Sequence, residues 1–151
     1  MRSLYIWLSR LIALGVVVQV LVIAWSAFDI YNKAGDGVPF TEDTERNIGA
    51  ALHSVIGMMI IPVLALLFAI VSFFAKVRGG VALAWAVFGL VVLQIALAFA
   101  SFAAPVVGTL HALNAFAVAG VAGMAGARAA RPDPTLAAPA RSSDPGVTAG
   151  A

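Results

Sequence analysis

The sequence predicts an all-α fold, a four-helix transmembrane bundle running up-down-up-down and built from two repeated helical hairpins. Three observations predict it. The 151 residues are 62% hydrophobic and only 11% charged, with a mean hydropathy of +1.02, whereas an average soluble domain is about a quarter charged. A chain this apolar cannot keep its surface wet, so its main solvent is lipid. From Gly79 to Ala127 there is no Asp, Glu, Lys or Arg. Within the apolar stretches, a glutamine followed by a histidine occurs twice, as Gln19 with His53 and Gln94 with His111.

The spans are expected at about residues 6–28, 48–75, 81–102 and 105–127. In the first, Leu11 to Phe28 is apolar apart from Gln19 and Ser26. Crossing the hydrocarbon takes about 20 helical residues. Tyr5 to Leu8 extend the segment, and Arg10 can snorkel. A cleaved signal peptide is the rival, since Ala24-Trp25-Ser26 fits a small-x-small site. Signal cores run only about 7–15 residues, so a retained span is the better reading. Asp29 to Asn47 reads as a polar loop, rich in acidic residues and punctuated by Gly35, Gly37 and Pro39. Thr41 is placed as N-cap of the second span, with Glu42 and Asp43 in its first turn.

The second span, between Arg46 and Lys76, is longer than a straight crossing needs. Pro62 removes one backbone hydrogen bond and predicts a kink near Met58–Pro62. A basic turn, Lys76 to Gly80, leads into the third span, and Ala103-Ala104-Pro105 turns the chain into the fourth. Residues 128–151 are rich in Ala, Pro, Gly and Ser and read as a disordered cytoplasmic tail. The basic residues Arg2, Arg10, Lys76, Arg78, Arg128 and Arg131 fall on one side of a four-span topology. The positive-inside rule then makes this a multi-pass protein of the cytoplasmic (inner) membrane with both termini cytoplasmic. The formal charge of +2 is topology signal and implies no nucleic acid. The absence of cysteine excludes disulfides, thiolate metal sites, iron–sulfur clusters and c-type haem attachment.

Aligning Gln19 with Gln94 lays VVQVLVIAWSAF over VLQIALAFASFA. Aligning His53 with His111 lays Gly49-x3-His53-x3-Gly57 over Val107-x3-His111-x3-Ala115. Two hairpins of equal orientation follow, related by an axis along the membrane normal. On the fourth helix the row Ala115, Ala119, Gly123, Ala127 offers close helix approach, and His111 on that row would face inward. Counted from the outer side, His53, His111 and Gln94 sit at similar depth. Counted from Lys76 and Arg128, the two histidines disagree by about 9 Å at 1.5 Å per residue.

An ionisable group inside a span is by default a site hypothesis. Two inward histidines at one depth on diagonal helices suit bis-imidazole ligation of haem b. His53 and His111 are then the metal ligands, Gln19 and Gln94 partner their other N–H groups, and Gly49, Gly57 and Gly108 leave room for a flat ring. Arg46 is positioned to meet a propionate. The competing reading is a non-enzymatic structural or accessory membrane subunit whose histidines only make interhelical hydrogen bonds. A third, a small transporter, lacks acidic residues within its spans. Two histidines fall short of an ordinary zinc or copper site. The expected partners are the lipid bilayer and a further membrane protein.

The run HSVIGMMIIPVLALLFAIVSFFAKVRGGVALAWAVFGLVVLQIALAF, followed by GTLHALNAFAV, resembles a family of small four-span bacterial membrane proteins of unknown function. The resemblance covers residues 5–127, most specifically His53, Gly57, Pro62, Ser72 to Lys76, Gln94, His111 and Asn114. It implies the fold and no activity. More distantly, Leu93-Gln94-x-Ala96-Leu97 with Leu110-His111-Ala112-Leu113 is similar to one half of haem A synthase, which implies His53 and His111 as axial ligands. The acidic catalytic residue of that enzyme has no matching setting at Glu42 or Glu45, so the resemblance carries haem geometry and not the activity.

Overall fold

A computed structural model describes residues 1–45 and 47–131. Its helices are α1 (Arg2–Gly35), α2 (Glu42–Glu45), α3 (Ile48–Val55), α4 (Ile61–Ser72), α5 (Gly80–Ala103) and α6 (Val107–Ala130), with one π-helical turn at Ile56–Ile60 joining α3 to α4. No strand occurs among the described residues. Four helical segments are long and apolar enough to cross a membrane: Arg2–Gly35, Ile48–Ser72, Gly80–Ala103 and Val107–Ala130. The protein is an all-α, four-helix, multi-pass membrane bundle. α1 packs on α3, α4 and α6, and α5 packs on α4 and α6. The second and fourth spans therefore lie across a diagonal.

The helix ends differ from expectation in ways the local chemistry explains. α1 continues through Asp29–Gly35, a stretch expected to be loop. Lys33 Nζ reaches Asp29 Oδ2 at 2.7 Å, one turn away along the helix, a pairing that supports exposed helix. The helix stops at Asp36, before Gly37 with φ +75°, a backbone conformation that costs glycine nothing. Thr41 does cap a helix, accepting from the Thr44 N–H at 3.4 Å, but only the short α2. Asn47 caps the second span instead. Its Oδ1 accepts from the Ala50 N–H at 3.0 Å, and its Nδ2 donates to Ser26 O at 3.1 Å, tying the start of α3 to α1.

A π turn occupies the place where a kink was expected. Pro62 has no N–H to return to Met58, and Ile61 donates to Ile56 O, five residues back. The second span ends at Ser72 rather than residue 75. α6 runs to Ala130, so Arg128 lies within its last turn. The expected disordered tail from 132 onward, like Arg46, lies outside the described residues.

The apolar core occupies one half of the bundle, at the end that carries the N-terminus and the Lys76–Gly79 turn. It joins Tyr5, Leu8, Ile12 and Val16 of α1 with Ile61, Ala65 and Phe68 of α4, Ala84, Val87 and Val91 of α5, and Val118, Ala122, Ala125 and Ala129 of α6. Tyr5 is fully buried, stacks on Phe68 at 4.5 Å and donates its hydroxyl to Gly80 O at 2.9 Å. Arg2 Nε donates to Ala129 O at 2.7 Å, so a cation meets the C-terminal end of the α6 dipole. Arg128 lies against Gly79. Arg2, Lys76, Arg78 and Arg128 thus share one end of the bundle, as expected from the sequence.

The small-residue row on α6 needs correcting. The buried stripe is Asn114, Val118, Ala122, Ala125, Gly126 and Ala129. Ala115 and Ala119 are half-buried, while Gly123 and Ala127 are exposed. Asn114 sets this rotation through its bonds to α5, described below. The closest glycine approach is Gly126 against the buried Ser9 of α1.

Candidate functional site

The half of the bundle toward the acidic loop has a different character. Its buried groups are few and mostly polar or small: Val22, Ser26, Thr44, Gly49 and Asn114. Here each hairpin closes on itself by the same pair of bonds. In the first, Gln19 Nε2 donates to His53 O at 3.0 Å and His53 Nδ1 lies 3.3 Å from Gln19 O. In the second, Gln94 Nε2 donates to His111 O at 2.9 Å and His111 Nδ1 lies 3.0 Å from Gln94 O. A carbonyl oxygen can only accept, so each Nδ1 carries the proton. A neutral imidazole then has its lone pair on Nε2. Among the described residues neither Nε2 has a hydrogen-bond partner.

Sequence reading paired the right residues but with a different bond. The histidine N–H goes to the glutamine backbone carbonyl, and the glutamine amide goes to the histidine backbone. The glutamines therefore hold the helices in register while the backbones fix the tautomers.

Gly57 makes the first clasp possible. A Cβ there would lie 2.5 Å from Gln19 Nε2. Gly49 allows α3 to close on α1, since its Cβ would lie 2.6 Å from Val22 O and 2.8 Å from Ser26 N. Both were expected to leave room for a ring; in the structure their open sides face α1 instead. Gly108 has only ordinary contact with Ser101, at 3.7 Å. Arg46 lies outside the described residues. Asn114, read as interhelical glue, is that: its Nδ2 donates to Leu90 O at 2.9 Å and to Gln94 Oε1 at 2.6 Å, both on α5.

The two imidazoles meet across the diagonal with ring centres 6.3 Å apart and planes inclined at 58°. The depth disagreement disappears, because each histidine stands nineteen residues before its helix end, Ser72 for one and Ala130 for the other. A metal–imidazole bond of about 2.0 Å, plus about 1.1 Å from nitrogen to ring centre, puts two imidazoles on opposite sides of one ion about 6.2 Å apart. A tetrahedral pair would bring the centres to about 5 Å. The observed separation of 6.3 Å is nearer the first figure than the second. Among the described residues no group of three or more His, Cys, Asp or Glu side chains could hold a metal ion. A cavity of about 250 Å³ lies at the same end, lined by Trp25, Asp29 and Lys33 of α1 and by Asn47, Ile48 and Gly49, one turn from His53.

Sequence reasoning missed Asn47, whose second bond ties α3 to α1, and the Ser9–Gly126 contact. An asparagine immediately before an apolar run was the available signal for the first. Comparison with protein-family models, curated proteins and solved structures finds no match for the chain.

Proposed function

We propose that this is a b-type haem protein of the cytoplasmic membrane, in which His53 and His111 ligate one haem iron, serving electron transfer or haem handling. The observation that carries the reading is the pair of imidazoles held at trans-ligand separation, 6.3 Å, with both Nδ1 atoms committed to carbonyls. The proton on Nδ1 leaves Nε2 as the ligating atom, and the N–H···O=C bond makes that nitrogen more basic. The Gln19 and Gln94 amides hold the histidine backbones, so the rings are preorganised. Haem bound here would supply a one-electron iron couple.

The two hairpins read as copies of one unit. The identical Gln–His bond pattern and the equal distance from each histidine to its helix end support this. The basic residues gathered at one end support cytoplasmic termini. The distant similarity to half of haem A synthase fits the same ligand geometry without its activity. A structural or accessory subunit is the second reading, and the Nδ1–carbonyl bonds favour it, since they join helices whether or not a metal is present.

The test is an absorbance spectrum of protein purified in detergent after expression with ample haem, oxidised and then dithionite-reduced. Haem ligation predicts a low-spin spectrum at one haem per bundle, lost in both His53→Ala and His111→Ala. A spectrum retained in either variant excludes bis-histidine ligation. A colourless parent that takes up no added haem leaves the accessory-subunit reading.

A further inference from the structure

The cavity of about 250 Å³ at the acidic-loop end is lined by Trp25, Asp29 and Lys33 on one side and by Asn47, Ile48 and Gly49 on the other. Neither histidine lines it. Its height in the bundle follows from the two Gln–His clasps. Gln19 and Gln94 stand at one level, because each is bonded to its histidine and the two histidine rings face each other. Asp29 lies ten residues after Gln19, and Ala104 lies ten residues after Gln94. At about 1.5 Å per residue, both are about 15 Å further out. Ala104 is where α5 ends and the chain turns back into α6. The cavity therefore sits at the level where the second hairpin leaves the hydrocarbon, in the headgroup layer. Trp25, one turn below Asp29 and more than half exposed, is placed as interfacial tryptophans are.

The lining carries one charge of each sign. Asp29 and Lys33 are part-buried and paired through Oδ2 and Nζ at 2.7 Å. The pair uses one carboxylate oxygen and one of the three ammonium donors. Asp29 Oδ1 and the other Lys33 N–H bonds have no partner among the described residues. A lone anion here would meet Lys33 and be repelled by Asp29; a lone cation would meet the reverse. A group that bears both charges on neighbouring atoms matches both at once, its cation on Asp29 and its anion on Lys33. The indole face of Trp25 is a second place for the cation. The adjoining loop sets Asp36, Glu42, Asp43 and Glu45 against Arg46, which raises the cost of a net anion. The volume is below the ~300–1,000 Å³ of pockets that enclose a whole drug-sized molecule, so it suits a headgroup. Trp25 and Ile48 give the lining exposed apolar surface on which the first carbons of an acyl chain can lie.

We propose that this cavity binds the headgroup of a zwitterionic phospholipid of the phosphoethanolamine type, its primary ammonium on Asp29 and Trp25 and its phosphate on Lys33. A primary ammonium donates N–H bonds to the Asp29 carboxylate, whereas a trimethylated one has none to give, so the carboxylate selects the former. The bound headgroup bridges the end of α1 and the start of α3, beside the Asn47–Ser26 bond that already joins them. A ligand that binds only the folded chain stabilises it by mass action. The site is independent of whatever the histidines hold, since neither lines the cavity.

The experiment is thermal unfolding of the detergent-purified full chain, followed by circular dichroism, with phosphatidylethanolamine, phosphatidylcholine or phosphatidylglycerol of equal acyl length added. Phosphatidylethanolamine is expected to raise the midpoint with an apparent affinity about tenfold above either of the others, the scale of one charge-assisted hydrogen bond. Asp29→Asn and Lys33→Met lie outside the apolar core and are each expected to abolish that preference. Native mass spectrometry of the parent with the three lipids in equal amounts decides the matter should a variant fail to fold, and phosphatidylethanolamine is expected to be the lipid retained. Glycerophosphoethanolamine, the headgroup without acyl chains, is expected to leave the midpoint unchanged at the concentrations where the lipid acts. Equal shifts from the three lipids, a preference for either of the other two, or a preference that survives in both folded variants overturns the proposal. Glycerophosphoethanolamine acting as well as the lipid gives the cavity to a soluble ligand and overturns the lipid assignment.

Discussion

Three glycines of similar sequence setting should respond very differently to one added methyl group. A Cβ at Gly49 would lie 2.6 Å from Val22 O and 2.8 Å from Ser26 N, both backbone atoms of α1. Ordinary contact begins at 3.4 Å, so α3 must withdraw from α1 by about 0.8 Å or tilt. Overpacking of this kind costs about 1–3 kcal/mol, and withdrawal also stretches the Asn47–Ser26 bond. At Gly123 the same Cβ meets nothing within 4 Å, and alanine gains up to about 1 kcal/mol of helix propensity. Gly57 is intermediate. Its Cβ would meet only the end of the Gln19 side chain at 2.5 Å, which can swing aside at the loss of its bond to His53 O, about 0.6 kcal/mol on average between membrane helices.

The expected order of stability is therefore Gly123→Ala at or above the parent, Gly57→Ala near it, and Gly49→Ala lowest. The gap between the first and last is about 2–4 kcal/mol. Unfolding by sodium dodecyl sulfate in mixed micelles, followed by circular dichroism, measures the series. Gly49→Ala as stable as Gly123→Ala would refute the close approach of α3 to α1, and with it the placement of His53. If the proposed haem is bound, Gly57→Ala carries a second readout, since freeing Gln19 should then alter its spectrum while leaving the fold intact.

Gln94→Leu removes two hydrogen bonds and Gln19→Leu removes one while also removing an unpaired buried oxygen. At about 0.6 kcal/mol per bond, Gln94→Leu should cost at least twice as much in the same unfolding assay; equal costs would show that the Asn114 bond contributes nothing. The chain has no native cysteine, so single cysteines report topology cleanly. With cytoplasmic termini, Asp36→Cys should react with a membrane-impermeant maleimide in intact cells, and Lys76→Cys only after permeabilisation. The reverse pattern would invert the orientation.

The sequence alone was enough for the four spans, their alternation and a departure from regular α-helix just before Pro62. Those features depend on hydrophobicity summed over about 20 residues and on the missing N–H of one proline, and both are properties of the chain itself. It also singled out Gln19, His53, Gln94 and His111, because polar groups are conspicuous against an apolar background. The extent of α1 beyond Asp29 was less legible, since one ion pair and one glycine compete there with a polar composition that reads as loop.

The face of α6 that turns inward was not legible either. Its small residues are so numerous that several rows fit equally well, and only the bonds from Asn114 to Leu90 and Gln94 select one. Tertiary structure alone decided three further things. It removed the disagreement in depth counted from the basic side, by ending the second span at Ser72 and extending α6 to Ala130. It gave their N–H groups to backbone carbonyls rather than to side-chain amides. It brought the two rings to 6.3 Å across the diagonal. Each depends on where two helices touch, and periodicity within one helix carries no information about the rotation and height of its neighbour.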